Sequence, residues 1–172
     1  MLDIRLAKSM LENEEGMNHL EIQISPTSSY LLKDARLFIH LPVGVYRLEN
    51  LNTFYEDSNG VIVLDNVSCK QNIIVELYTQ ESIECEETKI SVDLSYKDHK
   101  NNVISISESI PLHIVNEEEM EEVTLNEEVI DNIKNLLKED TEQEFVLIPP
   151  KIQTTNNQIS NLERKYRIDF YY

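Results

Sequence analysis

The sequence predicts a mostly β protein: an antiparallel β-sandwich with one amphipathic α-helix and a C-terminal extended tail. Three observations lead to this prediction. Apolar and polar residues alternate through the first two thirds of the chain, turn residues separate the alternating runs, and one later stretch has helical periodicity. Period-two alternation places one face of a strand on a core and the other in water. Short strands punctuated by turns are typical of a sandwich.

Six alternating runs predict the strands of this sandwich. In the clearest run, isoleucine, valine and leucine alternate with serine and aspartate, and the β-branched residues suit a pleated, half-buried surface. The runs cover residues 20–24, 37–41, 73–77, 90–96, 103–106 and 110–114.

The first ten residues fit two structures. Leu2, Ile4 and Leu6 alternate as in a strand, whereas Leu2, Leu6 and Met10 would share one face of a short helix. We favour a strand that turns near Gly16 into the run containing Leu20.

Turn residues separate the predicted strands. Asn59-Gly60, within residues 57–60, is the strongest hairpin signal because both residues tolerate a positive φ. Residues 25–28, 41–44 and 97–102 supply the other reversals.

The composition changes at Asn116, where we place the end of the sandwich domain (residues 1–116). The rest (residues 117–172) comprises an acidic connector, a helix at about 125–138 and an extended docking segment, packed on the sandwich. Thr124 and Glu127 match a capping box at the helix start. The apolar residues that follow share one helical face: Val129, Ile133, Leu136 and Leu137.

Charge is the strongest compositional signal. The chain has 32 acidic and 15 basic residues, a net charge of −17 and a pI near 4.5. Such a field repels nucleic acid and anionic membranes, so it favours a basic protein partner, although acidity alone also serves solubility. Residues 1–16 lack a signal-peptide pattern, and we expect a cytoplasmic protein with free thiols at Cys69 and Cys85.

The residues that could carry chemistry do not form a recognisable catalytic, cofactor or metal site. His40 and His113 are placed on outer strand faces, and could bind a metal only if strands 37–41 and 110–115 paired. The three glycines are isolated, which excludes a phosphate-binding loop. Asp93 and Ser95 begin like a metal-adhesion DxSxS motif, but Lys97 replaces its second serine, so we interpret them as solvent-facing.

Tyrosine is enriched in protein interfaces because it supplies large contact area at low entropic cost. One aromatic group lies at predicted strand ends and either caps the core or binds: Tyr30, Tyr46, Phe54, Tyr55 and Tyr78. Another closes the chain. The predicted partner-binding residues are these C-terminal aromatics and the acidic connector: Tyr166, Phe170, Tyr171, Tyr172, Glu117, Glu118 and Glu119.

Residues 37–138 resemble a bacterial module. Leu-Phe-Ile-His-Leu-Pro-Val-Gly-Val at 37–45 resembles the strand and P-x-G turn of immunoglobulin-like domains. The segments 72–77 and 90–98, with the helix start at 125–129, are similar to the β-sandwich that flanks von Willebrand factor A domains. The A domain and its metal motif are absent from the sequence. The resemblance implies an immunoglobulin-like, non-catalytic module that packs against another protein. We expect a bacterial or phage origin.

Two functions therefore compete. The first is a protein–protein interaction or assembly module that acts through sheet edges and the aromatic tail, with an unidentified partner or a second copy of the chain. The alternative is an acidic inhibitor, such as an immunity protein or nucleic-acid mimic that blocks a nuclease. Salt should weaken the second kind of binding more steeply.

Overall fold

A computed structural model describes residues 2–26 and 31–143 of the chain, with side chains as far as Lys138. In that part of the chain, nine strands form two sheets, followed by a 3-10 turn and one helix. The elements are β1 Leu2–Leu6, β2 Met10–Glu12, β3 Met17–Ile24, β4 Leu32–His40, β5 Val45–Arg47, β6 Ile62–Val67, β7 Gln71–Thr79, β8 Glu87–Lys97, β9 Val103–Val115, the 3-10 turn Glu119–Glu122 and α1 Glu127–Gln143.

The two sheets pack face to face on one core. The four-stranded sheet has the order β1-β3-β7-β5, and the five-stranded sheet has the order β2-β9-β8-β4-β6. Neighbouring strands are antiparallel except β2 and β9, which are parallel. The predicted mostly antiparallel β-sandwich with one helix is confirmed.

Alternate residues of both sheets form the core, as the period-two pattern predicts. Each of the central strands β3, β7, β4 and β8 contributes buried apolar residues from its inward face. Fully buried members are Leu20, Ile22, Ile24, Ile73, Val75, Leu77, Leu37, Ile90 and Val92.

The N-terminal residues form a strand, as favoured from their alternation. β1 pairs with β3 from Leu2 opposite Ile24 to Leu6 opposite Leu20. Between β1 and β3 the chain crosses to the other sheet, where Met10–Glu12 (β2) pairs with the end of β9. The sequence did not predict this crossing, because three residues are too few to show a period.

Strand β9 joins two predicted runs into one strand of 13 residues. The polar residues between those runs stay in register, with Ser107 opposite Asp93 and Ser109 opposite Ser91. Strand β6 was missed because Asp65 and Asn66 interrupt its apolar pattern.

Helix α1 starts later than the capping box predicted. Asn126 Oδ1 accepts a hydrogen bond from the Val129 N–H at 3.3 Å, so Asn126 caps the helix and the Thr124 prediction was wrong. The Thr124 N–H donates instead to Ser9 Oγ (3.0 Å), and its carbonyl accepts from the Ser9 N–H (2.9 Å). Backbone pairing with residues 7–9 thus keeps Thr124 out of the helix.

Helix α1 packs on the outer face of the four-stranded sheet. Val129 and Ile133 meet Ala7 and Ile74 in a second, smaller apolar cluster. Ile74 accounts for this arrangement. It lies on the outward phase of β7, where it would be exposed to water if α1 did not bury it. None of the helices in the described residues is long and apolar enough to span a membrane.

Candidate interaction surfaces

A buried ionic network fixes the helix to the sheet. Glu21, on the outward phase of β3, is fully buried. Its Oε2 lies 2.7 Å from Arg5 Nη2. Its Oε1 accepts hydrogen bonds from Asn132 Nδ2 at 2.7 Å and Asn72 Nδ2 at 3.2 Å. Arg5 Nη1 also lies 2.7 Å from an oxygen of Glu128.

This network has a structural role. Burial disfavours the charged form of Arg5, but the hydrogen bond to Glu128 and the nearby carboxylates outweigh it and raise the pKa of Arg5. Glu21 is fully buried and both of its oxygens have protein partners, so the carboxylate is not accessible to a substrate. The network therefore joins β1, β3 and β7 to α1.

Beyond the helix, the same sheet face carries exposed apolar side chains. Met17, Tyr78 and Tyr46 lie side by side on the adjacent strands β3, β7 and β5. The rings of Tyr46 and Tyr78 are 5.6 Å apart. Met17 is 50% exposed, and Tyr46 and Leu48 are each 48% exposed. We call Met17, Tyr46, Leu48 and Tyr78 the apolar row.

Charged groups surround the apolar row. Glu15 and Glu76 line the same groove of about 530 Å³. Lys8 Nζ donates to the Met17 carbonyl at 2.9 Å, and His19 Nε2 lies 3.7 Å from Glu76. Burial, with a smaller contribution from Lys8, lowers the pKa of His19 despite Glu76. The carboxylates make the margin of the row attractive to cations.

A second candidate surface is the free side of β9. Residues 103–113 pair with β8 on one side, but β2 covers only His113–Val115 on the other. In the part of the chain that the structure describes, no strand pairs with the second side of residues 103–112. We call residues 103–112 the open edge.

Two residues restrict pairing at the open edge. Glu108 lies opposite the buried Val92, on the inward phase, yet its side chain is exposed. Pro111 has no N–H to donate. Inward-phase charges and prolines are known means of protecting edge strands. Residues 103–107 are therefore the part best suited to pair with another strand.

A serine, an aspartate and a histidine meet on the outer face of the five-stranded sheet, but without the geometry of a catalytic triad. His40 Nε2 lies 2.6 Å from Asp93 Oδ2, and hydrogen bonds from Ser107 first and His40 second lower the pKa of Asp93. The serine thus contacts the carboxylate, whereas nucleophilic catalysis needs it to contact the base. His40 and Asp93 are also about half exposed, at 51% and 49%.

The condition for a histidine metal site is not met. Strand β8 lies between β4 and β9, and it places His40 beside Ser91 and His113 beside Glu87. Among the described residues, no group of three histidine, cysteine or acidic side chains could hold a metal. Cys69 and Cys85 are exposed free thiols.

The predicted partner-binding residues fall in two places. Glu117, Glu118 and Glu119 are exposed in the turn before and at the start of the 3-10 segment, where Asn116 Oδ1 accepts from the Glu119 N–H at 3.0 Å. Their binding role stays a prediction. The C-terminal aromatics lie outside the described residues: Tyr166, Phe170, Tyr171 and Tyr172.

The strand-end aromatics have different environments. Tyr46 and Tyr78 belong to the apolar row, Tyr55 is 70% exposed, and Phe54 packs against the core. Tyr30 lies outside the described residues. Met17, Leu48 and the open edge were not predicted from the sequence. The continuous apolar run Ile73-Ile74-Val75 could have predicted that the outer face of β7 is covered, because apolar residues on both phases of a strand indicate that both of its faces are buried.

No protein-family model matches the chain, and no curated protein matches it. Solved structures similar to it include BcpA, the major pilin subunit of Bacillus cereus, with a TM-score of 0.46, 8% identity, and coverage of 67% of this chain and 41% of that one. Self-complemented MyfA, the major subunit of Myf fimbriae from Yersinia enterocolitica, gives a TM-score of 0.36, 10% identity, and coverage of 65% and 96%. The periplasmic chaperone SfaE gives a TM-score of 0.35 and 11% identity, with coverage of 67% of this chain and 57% of that one. At these values the comparison assigns neither a family nor a function, and the resemblance to modules flanking von Willebrand factor A domains stays a prediction.

Proposed function

We propose that the chain is a non-catalytic protein–protein interaction module that pairs with an extended segment of a protein partner along the open edge. The observation that carries this proposal is the long stretch of β9 whose second side has no strand neighbour among the described residues. An unpaired edge presents backbone donors and acceptors that an incoming strand can satisfy.

The other sheet edges are less suited to this role. β2 and β5 each have three residues. β6 is partly covered, because the Val63 N–H donates to the Tyr55 carbonyl at 2.9 Å. β1 has five residues, and its Arg5 is held in the network beneath α1. The open edge has no strand on the second side of residues 103–112, and its residues 103–107 precede the restricting Glu108 and Pro111.

The side chains of the open edge define the partner's chemistry. Ile104 and Ile106 lie on the inward phase and are only partly buried, so an added strand with apolar residues on that face would complete their burial. Glu108 follows on the same face and favours a lysine or arginine in the partner. The net charge of −17 also favours a basic partner.

Lysine substitutions on the edge test this proposal. In the full chain, Val103→Lys with Ser107→Lys places two cations on exposed positions where a basic strand must approach. Val43→Lys is the control, because Val43 is 96% exposed in a loop. Tagged protein is used to capture partners from its native cell extract at low and high salt. We expect the edge variant to lose the partner and the control to keep it. Retention of the same partner by both would contradict pairing at this edge.

The acidic inhibitor is the second candidate, favoured by the exposed Glu117, Glu118 and Glu119. It predicts that high salt releases the partner and that glutamine at these three positions weakens capture. It also predicts no loss from the edge substitutions. The two functions are therefore distinguished by which set of variants loses the partner.

A further inference from the structure

We infer that the apolar row is the docking site for residues 164–172 of the same molecule. The inference goes beyond pairing at the open edge and does not depend on it. It rests on the exposed apolar surface, on its charged margin and on the length of chain that follows α1.

The sheet beneath α1 is only partly covered. Ile74 and Tyr78 both lie on the outward phase of β7, yet α1 buries Ile74 (2% exposed) and leaves Tyr78 in the open groove. The apolar row continues this uncovered surface over three strands. Contiguous exposed apolar surface with a polar margin is characteristic of a docking site.

Residues 164–172 complement this surface in composition. They contain four aromatic residues, which can pack on the Tyr46 and Tyr78 rings and the Met17 thioether. They also contain three basic residues and one acidic residue. Residues 1–143, by contrast, contain 29 of the 32 acidic residues and 11 of the 15 basic ones.

The charges at the row match those cations. The carboxylates of Glu15 and Glu76 line the groove, whereas Lys8 and His19 at its margin oppose them in part. The Lys8 ammonium group is hydrogen-bonded to the Met17 carbonyl of β3 and is not paired with Glu15 or Glu76 in the contacts described. The segment can therefore place aromatic side chains on the row and cations beside the two glutamates.

The chain is long enough to make this contact within one molecule. Helix α1 lies over the same sheet face and ends at Gln143, so 20 residues separate it from Arg164. A flexible linker of about 20 residues spans about 25 Å on average, more than the roughly 15 Å across four strands. A tether of this length gives a local concentration in the millimolar range, which favours the segment of the same molecule over that of a second copy.

Methyl NMR of the full chain tests the contact from the side of the segment. The chain has four methionines, of which Met17 reports on the row and Met120 is the internal control. We expect Phe170→Ser, Tyr171→Ser and Tyr172→Ser together to shift the Met17 methyl resonance and leave that of Met120 in place. Three substitutions in the intervening chain, Gln153→Ser, Thr154→Ser and Thr155→Ser, should change neither.

Limited trypsin digestion tests the same contact through substitutions in the apolar row. Tyr46→Ser with Tyr78→Ser should speed cleavage at Arg164, Lys165 and Arg167 about tenfold, because a contact of this size contributes roughly 1.4 kcal/mol. Tyr55→Ser, a matched exposed substitution, should leave the rate unchanged. An unmoved Met17 resonance in the triple aromatic variant would overturn the inference even if the row variant did not fold. A Met17 shift that disappears on dilution would also overturn it, since the bound segment would then come from a second copy.

Discussion

Arg5 Nη2 and Glu21 Oε2 lie 2.7 Å apart beneath α1, and Glu21 is fully buried on a strand face that would otherwise be solvated. A buried carboxylate is tolerated only when it is paired and hydrogen-bonded. Arg5, Asn72 and Asn132 meet that requirement from β1, β7 and α1. The position of the helix is thus specified by polar contacts as well as by the apolar cluster around Ile74.

Arg5→Met should destabilise the protein strongly. It leaves the Glu21 carboxylate buried without a cation, which costs about 3–5 kcal/mol in comparable sites. Urea unfolding measures the loss of free energy. Adding Glu21→Gln removes the buried charge and should restore part of that loss. Equal stability of Arg5→Met and the unmodified protein would show that Glu21 does not depend on this pair.

Val129→Asp should destabilise far more than the same change at an exposed valine. Val129 is 0% exposed in the cluster beneath α1, so aspartate there would bury an unpaired charge and cost about 3 kcal/mol. Val43→Asp is the control, because Val43 is 96% exposed. Leu136→Asp should have an intermediate effect, since Leu136 is partly buried. Thermal unfolding of the three variants checks this order, and identical midpoints would mean that α1 does not pack on the sheet.

Low pH should reduce the stability of the fold by protonating Glu56, which lies in the loop that precedes β6. Burial alone raises the pKa of Glu56, but hydrogen bonds from Arg47 and Asn50 outweigh it and hold the pKa below its ordinary value of 4.5. Because the unfolded chain binds the proton more readily, the ionised pair stabilises the fold above pH 4.5 and its contribution disappears as pH falls below that value.

Glu56→Gln should therefore flatten the dependence of unfolding free energy on pH below about 4.5. Asp57→Asn is a nearby control, because Asp57 accepts backbone hydrogen bonds in the turn but pairs with no cation in the contacts described. Parallel pH profiles for Glu56→Gln and the unmodified protein would contradict this assignment.

Deleting residues 166–172 should leave the sandwich folded. The described residues already form a two-sheet core, so we expect the free energy of unfolding to change by no more than about 1–2 kcal/mol, the scale of one surface aromatic contact. Circular dichroism and thermal unfolding give the result. A large fall in the melting midpoint would show that these residues form part of the core.

The sequence predicted the features that repeat along the chain. Alternation identified the central strands, and the Asn59-Gly60 reversal is present, with Gly60 at φ 75°. The helix was predicted from the spacing of Val129, Ile133 and Leu136. Short strands such as β2 carry too few residues for a period to be seen.

The candidate surfaces could not be predicted in the same way. The apolar row joins β3, β5 and β7, and the open edge exists because β2 covers only the end of β9. Both depend on which strands become neighbours, and period-two alternation does not specify strand order. Glu108 is the exception, because a charge at an inward position of an alternating strand is a local signal of an edge.

Hydrogen exchange of the β9 amides, measured with and without the captured partner, tests the proposed interaction most directly. If a partner strand pairs with the open edge, exchange of the amides in residues 103–107 should slow when the partner is bound, and Val103→Lys with Ser107→Lys should abolish that protection. Protection confined to Glu117–Glu122, with residues 103–107 exchanging at the same rate in both samples, would contradict the account and favour the acidic inhibitor.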